Sequence, residues 1–172
     1  MSISQLAREV KESPTLKLNE AARLLKERGE PVIHLGAGEP KSRVPIDAVL
    51  ASAAKLTSAE IRYTPTEGIP SLIKAIIRYT EENYNKVVGP RNVVVFSGAK
   101  QAFYNLMFTL INPQDEVIRV APYWVSYPEI VRMVYGVPVI VTPERGRFEP
   151  TIEDITQHVS SYTKAIVINS PN

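Results

Sequence analysis

The sequence predicts an α/β fold built on a mostly parallel sheet with flanking helices on both faces. Three observations carry that expectation. Short apolar runs at 92–96, 116–120, 138–141 and 165–168 alternate with helix-periodic segments at 99–111, 123–135 and 151–160, the spacing that parallel strands require for their crossover connections. Within 99–111 the apolar residues Ala99, Ala102, Phe103, Leu106, Met107, Leu110 and Ile111 recur at three- and four-residue steps, which predicts one buried stripe. The run Val93-Val94-Val95-Phe96 then passes through Ser97-Gly98 straight into that helix, and a glycine there can take backbone angles closed to other residues.

The remaining elements follow in chain order. Residues 16–28 read as an amphipathic helix with Leu16, Ala21, Leu24 and Leu25 on one side and Gly29 as its stop. Val32-Ile33-His34-Leu35 reads as a short strand running out into the glycine loop Gly36-Ala37-Gly38-Glu39-Pro40. A helix is expected over 45–56, an irregular segment over 62–70 because of its proline, glycine and threonine, and a further helix opened by Pro70 and running to about residue 86. The chain closes on Asn169-Ser170-Pro171-Asn172, a turn-forming sequence directly after a strand. A parallel sheet interrupted at that point leaves apolar surface uncovered, so the sequence is expected to be an incomplete piece.

Composition narrows the function. The 172 residues are 44% hydrophobic and 22% charged, with twenty basic and eighteen acidic side chains interspersed, which argues against a nucleic-acid partner. No apolar run reaches the length of a membrane span and the N-terminus lacks the order of a signal peptide, so a cytoplasmic protein without membrane contact is expected. Cysteine is absent, and His34 and His158 stand far apart, which removes thiolate chemistry and paired metal ligands. Each histidine is read as structural, His34 in its apolar run and His158 in a polar helix. Neither a P-loop nor a complete G-x-G-x-x-G is present, which disfavours nucleotide-triphosphate and dinucleotide folds.

What remains is the turn at Gly98. The first amides of a helix have no intrahelical acceptor and carry the positive end of its dipole, so this strand-to-helix junction is a cradle for an anion, most simply a phosphate. Lys100 in the first turn works against the dipole; a bound anion would account for it, and so would ordinary solvation. Trp124, the single tryptophan, reads by itself as a core residue.

Four separated loops decide between these readings. GAGEP at 36–40, YTPTEGIP at 63–70, SGAKQAFYN at 97–105 and APYWVSYPE at 121–129, followed by INSPN at the end, resemble in order and separation the N-terminal half of a class I, fold type I aminotransferase of the aspartate aminotransferase group, which uses pyridoxal 5′-phosphate. The resemblance covers almost the whole chain. It implies that residues 46–172 are the first half of the cofactor-binding large domain, and that residues 1–45 are an N-terminal segment with part of the small domain.

Residue by residue, the resemblance puts Gly98, Ala99 and Lys100 at the cofactor phosphate and Trp124 against the pyridine ring and the substrate. Tyr63 matches the tyrosine whose hydroxyl reaches the phosphate of the neighbouring subunit, which implies a homodimer with shared active sites. Gly38 matches the glycine whose backbone approaches the substrate α-carboxylate. Thr15 and Lys100 fall where members acting on aspartate, glutamate and prephenate carry residues near the distal carboxylate. The reaction implied moves an amino group from an amino acid, aspartate- or glutamate-like, to a 2-oxo acid, with a lysine that is displaced from the cofactor aldehyde and then transfers a proton.

Departures from the family pattern qualify this. Lys41-Ser42-Arg43 stands where the family continues GEP with an acid and an aromatic. The cofactor-binding asparagine of the family turn would follow Asn172, so Asn172 does not take that role. The Schiff-base lysine, the aspartate that pairs with the pyridine nitrogen and the arginine that grips the α-carboxylate all lie farther along in the family. The 172 residues by themselves are therefore expected to be inactive, and a non-catalytic truncated or dimerising module is the alternative reading.

Overall fold

The computed structural model describes residues 2–10, 12–36, 38, 42–144 and 147–170. Parts of the GAGEP loop, Lys41 and the closing Pro171-Asn172 lie outside the described residues. The chain divides into two compact units, one of residues 1–37 with 98–172 and one of residues 38–97.

The first unit is built on three parallel strands, β1 (Glu116–Val120), β2 (Val137–Val141) and β3 (Thr163–Val167), in the order β2-β1-β3. The expected parallel sheet is thus present, with β1 in the middle. Successive side chains of a strand point to opposite faces, and Val117, Ile118 and Arg119 are all buried, so β1 is covered on both. Helices α5 (Ala99–Leu110) and α6 (Ser126–Met133) supply one cover. Met107 and Ile111 pack with Ile130, Val131 and Val134 over Val117, with Phe103, Tyr104, Ala165 and Val167 around them. Helices α1 (Gln5–Glu9), α2 (Pro14–Glu27) and α7 (Ile152–Thr156) complete this unit. The start of α7 is held reciprocally: the Asp154 amide donates to Thr151 Oγ1 at 3.1 Å and the Thr151 amide to Asp154 Oδ2 at 2.8 Å.

The second unit holds α3 (Ile46–Thr57) and α4 (Pro70–Tyr84), the latter opened by Pro70 as expected. Asn85 ends α4 in the left-handed conformation, a residue type that tolerates it. The segment over 58–69 forms neither helix nor strand, in line with its composition.

Several expectations are corrected. Residues 32–35 and 92–96 are not strands; Pro90–Asn92 is a turn of 3-10 helix, and Val95 donates a single backbone bond to Glu67 at 2.8 Å. A strand is defined by a ladder, and among the described residues no neighbouring strand offers one. The α5 stripe is narrower than expected: Phe103, Met107 and Ile111 turn inward, whereas Leu106 and Leu110 are exposed. In α2 the inward side is Thr15, Asn19 and Ala22, and Leu16, Leu24 and Leu25 face outward. Periodicity marks which side chains are apolar; the surface opposite decides which are buried. Helix α6 is shorter than the expected 123–135, and α7 ends before His158, whose Nδ1 lies 2.8 Å from the Asp154 carbonyl oxygen.

Candidate cofactor and substrate site

The C-terminal edge of the sheet is where α5 begins and where the loop after β1 emerges. Gly98 caps α5 with φ of 94° and ψ of 159° and supplies no side-chain cap. That backbone region favours glycine, and a Cβ placed there would meet nothing within 4 Å, so the cradle opens onto free space. The amides that start α5 thus have the geometry and the dipole to hold an anion.

Lys100 is accounted for by a third arrangement. Its Nζ lies 4.9 Å from the centre of the Trp124 ring, where the negative face of an indole attracts a cation. Trp124 itself is half-exposed at 38%, so it is not the core residue its composition alone allowed. An indole has two faces, and Lys100 takes one.

Trp124 is positioned by other aromatics. Its ring meets the edge of Tyr127 at 5.2 Å and 88°, and Tyr127 meets Phe103 of α5 at 5.0 Å and 67°, geometries that the ring quadrupoles favour. The Tyr127 hydroxyl donates to Asn169 Oδ1 at 3.3 Å, tying α6 to the turn after β3. Tyr127 was not singled out by the sequence, although its place three residues after Trp124 at a helix start was a usable signal. The Ala121–Pro122 peptide in this loop is cis.

The structure thus brings Gly98, Ala99, Lys100 and Trp124 together. Thr15 lies at the second position of α2 in the same unit, part-buried, with no hydrogen bond to that group. Gly38 and Tyr63 belong to the second unit, and the Tyr63 side chain is fully exposed.

An open helix start with the amides to hold an anion, beside a flat aromatic face at the carboxyl edge of a parallel sheet, fits a planar phosphorylated group such as pyridoxal 5′-phosphate. The chain belongs to the aminotransferase family of classes I and II, whose family model matches residues 30–172. It is 40% identical over 172 residues to the probable aspartate/prephenate aminotransferase of Thermus aquaticus, covering 99% of this chain and 45% of that protein. It is 39% identical to the aspartate aminotransferase of Geobacillus stearothermophilus, covering all of this chain and 44% of the relative. Among solved structures it superposes on the aspartate aminotransferase from Thermus thermophilus with maleate at a TM-score of 0.92 and 36% identity, over the whole of this chain and 45% of the other. The chain therefore spans a little under half the length of these relatives.

Proposed function

We propose that the protein to which these residues belong is a pyridoxal 5′-phosphate-dependent aminotransferase that takes an aspartate- or glutamate-like amino donor and a 2-oxo acid. The observation that carries this reading is the Gly98 helix start beside the Lys100–Trp124 pair at 4.9 Å; the names of the relatives favour the acidic donor. When bound, the cofactor supplies an electron sink at the substrate α-carbon. The amides of Gly98, Ala99 and Lys100 hold its phosphate, and the indole of Trp124 covers its ring and excludes water from that face. The absence of a side chain at Gly38 admits the α-carboxylate, while Thr15 and Lys100 face the distal one. Tyr63 reaches the phosphate of a second copy, so the working form is a homodimer, in the cytoplasm. Residues 46–172 form part of the large domain and residues 1–45 a segment shared with the small domain.

Because Trp124 is the only tryptophan, its fluorescence reports on the site directly. Titration with pyridoxal 5′-phosphate is expected to quench it, inorganic phosphate to reverse the quench, and Gly98→Asp to weaken binding by about tenfold or more, as expected when a charge-assisted hydrogen-bonding site is blocked. Borohydride reduction is expected to leave no stoichiometric lysine adduct. Equal quenching in wild type and Gly98→Asp would remove the cradle from this reading, and one stoichiometric adduct would show a Schiff-base lysine within these residues.

A further inference from the structure

Arg119 is the least satisfied side chain among the described residues. It sits on the central strand with 1% of its surface exposed, and Nε, Nη1 and Nη2 all lack a hydrogen-bond partner. A guanidinium presents five donors in a fixed fork, and a buried cation left without a counter-charge is strongly disfavoured. Its neighbours relieve only its flat face: Cζ lies 3.2 Å from the Tyr123 ring centre and 5.7 Å from that of Tyr127. The next charge it feels is another cation, Arg132. Burial draws the Arg119 pKa down to about 10, and the group is still a cation at neutral pH.

Arg119, its guanidinium nitrogens covered, lines a cavity of about 440 Å³ at the carboxyl ends of β1 and β3, whose walls also carry Tyr123, Tyr127, Phe148, Glu149 and Ser170. Glu149 is exposed and forms no ion pair with Arg119. The Tyr127 hydroxyl is given to Asn169, which leaves a forked cation, the Tyr123 hydroxyl and one movable acid around a pocket of this size, a set that selects for a planar anion accepting two parallel hydrogen bonds. We propose that this cavity is a carboxylate-binding site with Arg119 as its receptor, occupied either by a small free carboxylate or by the side chain of Glu149. The inference is independent of the cofactor reading, since it uses neither Gly98 nor Trp124.

Thermal unfolding of the full chain in malonate against chloride at equal ionic strength tests it, with Arg119→Met and Glu149→Gln alongside. For a free carboxylate, the wild-type midpoint rises by about 3–5 °C for each tenfold increase of malonate above its Kd, and Arg119→Met does not follow. For Glu149 as occupant, malonate leaves the wild type unmoved but raises the midpoint of Glu149→Gln, which starts lower. An identical response of all three chains to malonate and chloride overturns the proposal. Where Arg119→Met fails to fold, Arg119→Lys and the Arg119 Nε–Hε resonance of the wild type carry the same decision: a saturable shift with malonate, or with restoration of Glu149, supports the site, and an unmoved resonance in both wild type and Glu149→Gln removes it.

Discussion

Strand β1 and helix α3 carry comparable apolar patterns and meet opposite fates. In β1, Val117 and Ile118 are completely buried between layers. In α3, Ile46, Val49, Leu50 and Leu56 recur on a helical stripe, yet every residue of the helix is exposed. Hydrophobic stabilisation is proportional to the apolar area removed from water, so the same kind of stripe contributes strongly in one place and little in the other. Helix α3 is held by its own bonds, among them Ser52 Oγ donating to the Ala48 carbonyl and Thr57 Oγ1 to that of Ala53. A helix of this length is marginal in water without packing of its apolar face. Buried apolar area is therefore concentrated in the β2-β1-β3 layer, whose carboxyl edge carries the Gly98, Lys100 and Trp124 group.

The sharpest way to break this contrast is Ile118→Ala, expected to cost about 2–5 kcal/mol in urea unfolding because the site is closed on every side. A loss below about 0.5 kcal/mol would mean that β1 is no better packed than α3. Next comes Gly136→Ala, where a Cβ would lie 2.9 Å from Ile111 Cγ2, 3.0 Å from Val131 Cγ1 and 3.2 Å from the Asp115 carbonyl oxygen. Overpacking against that backbone oxygen is expected to cost about 1–3 kcal/mol by the same assay.

A smaller effect is expected at the edge of the same unit. Asp154 has its pKa lowered, first by the Thr151 amide hydrogen bond, against burial, which raises it, and further by the Thr151 hydroxyl and the charges of Arg147 and His158. A carboxyl whose folded pKa lies below its unfolded value stabilises the fold fully above the unfolded value and loses that contribution as pH falls through the folded one. Asp154→Asn is accordingly expected to flatten the acid limb of a stability-against-pH curve and leave its shape above pH ~5 unchanged; an unaltered acid limb would remove the cap from the account. The smallest change belongs to α3: Leu50→Ser is expected to stay within about 0.5 kcal/mol of wild type. A larger loss by urea unfolding would show that this stripe is covered in solution.

How far the sequence could be read follows the same division. Helix α5, the parallel sheet and the glycine turn between residues 96 and 99 were legible, because they rest on periodicity, crossover spacing and one residue's backbone freedom. The strands expected at 32–35 and 92–96 were not realised, since an extended run becomes a strand only when another lies beside it. The Lys100–Trp124 contact joins residues on a helix and a distant loop, and spacing along the chain holds no record of it. Arg119 left a trace, a charge inside the run Glu116-Val117-Ile118-Arg119-Val120. Alternation alone would have placed it toward solvent on a half-covered sheet.

Local backbone preference and apolar period are properties of neighbouring residues, and so the helix of residues 99–110, the three strands that follow it and the glycine turn at Gly98 were determined by the sequence alone. Burial and charge balance depend on what stands opposite each side chain. Only the tertiary structure, by covering β1 on both faces and leaving α3 open, decided which apolar stripe stabilises the fold and left the guanidinium of Arg119 buried without a counter-charge.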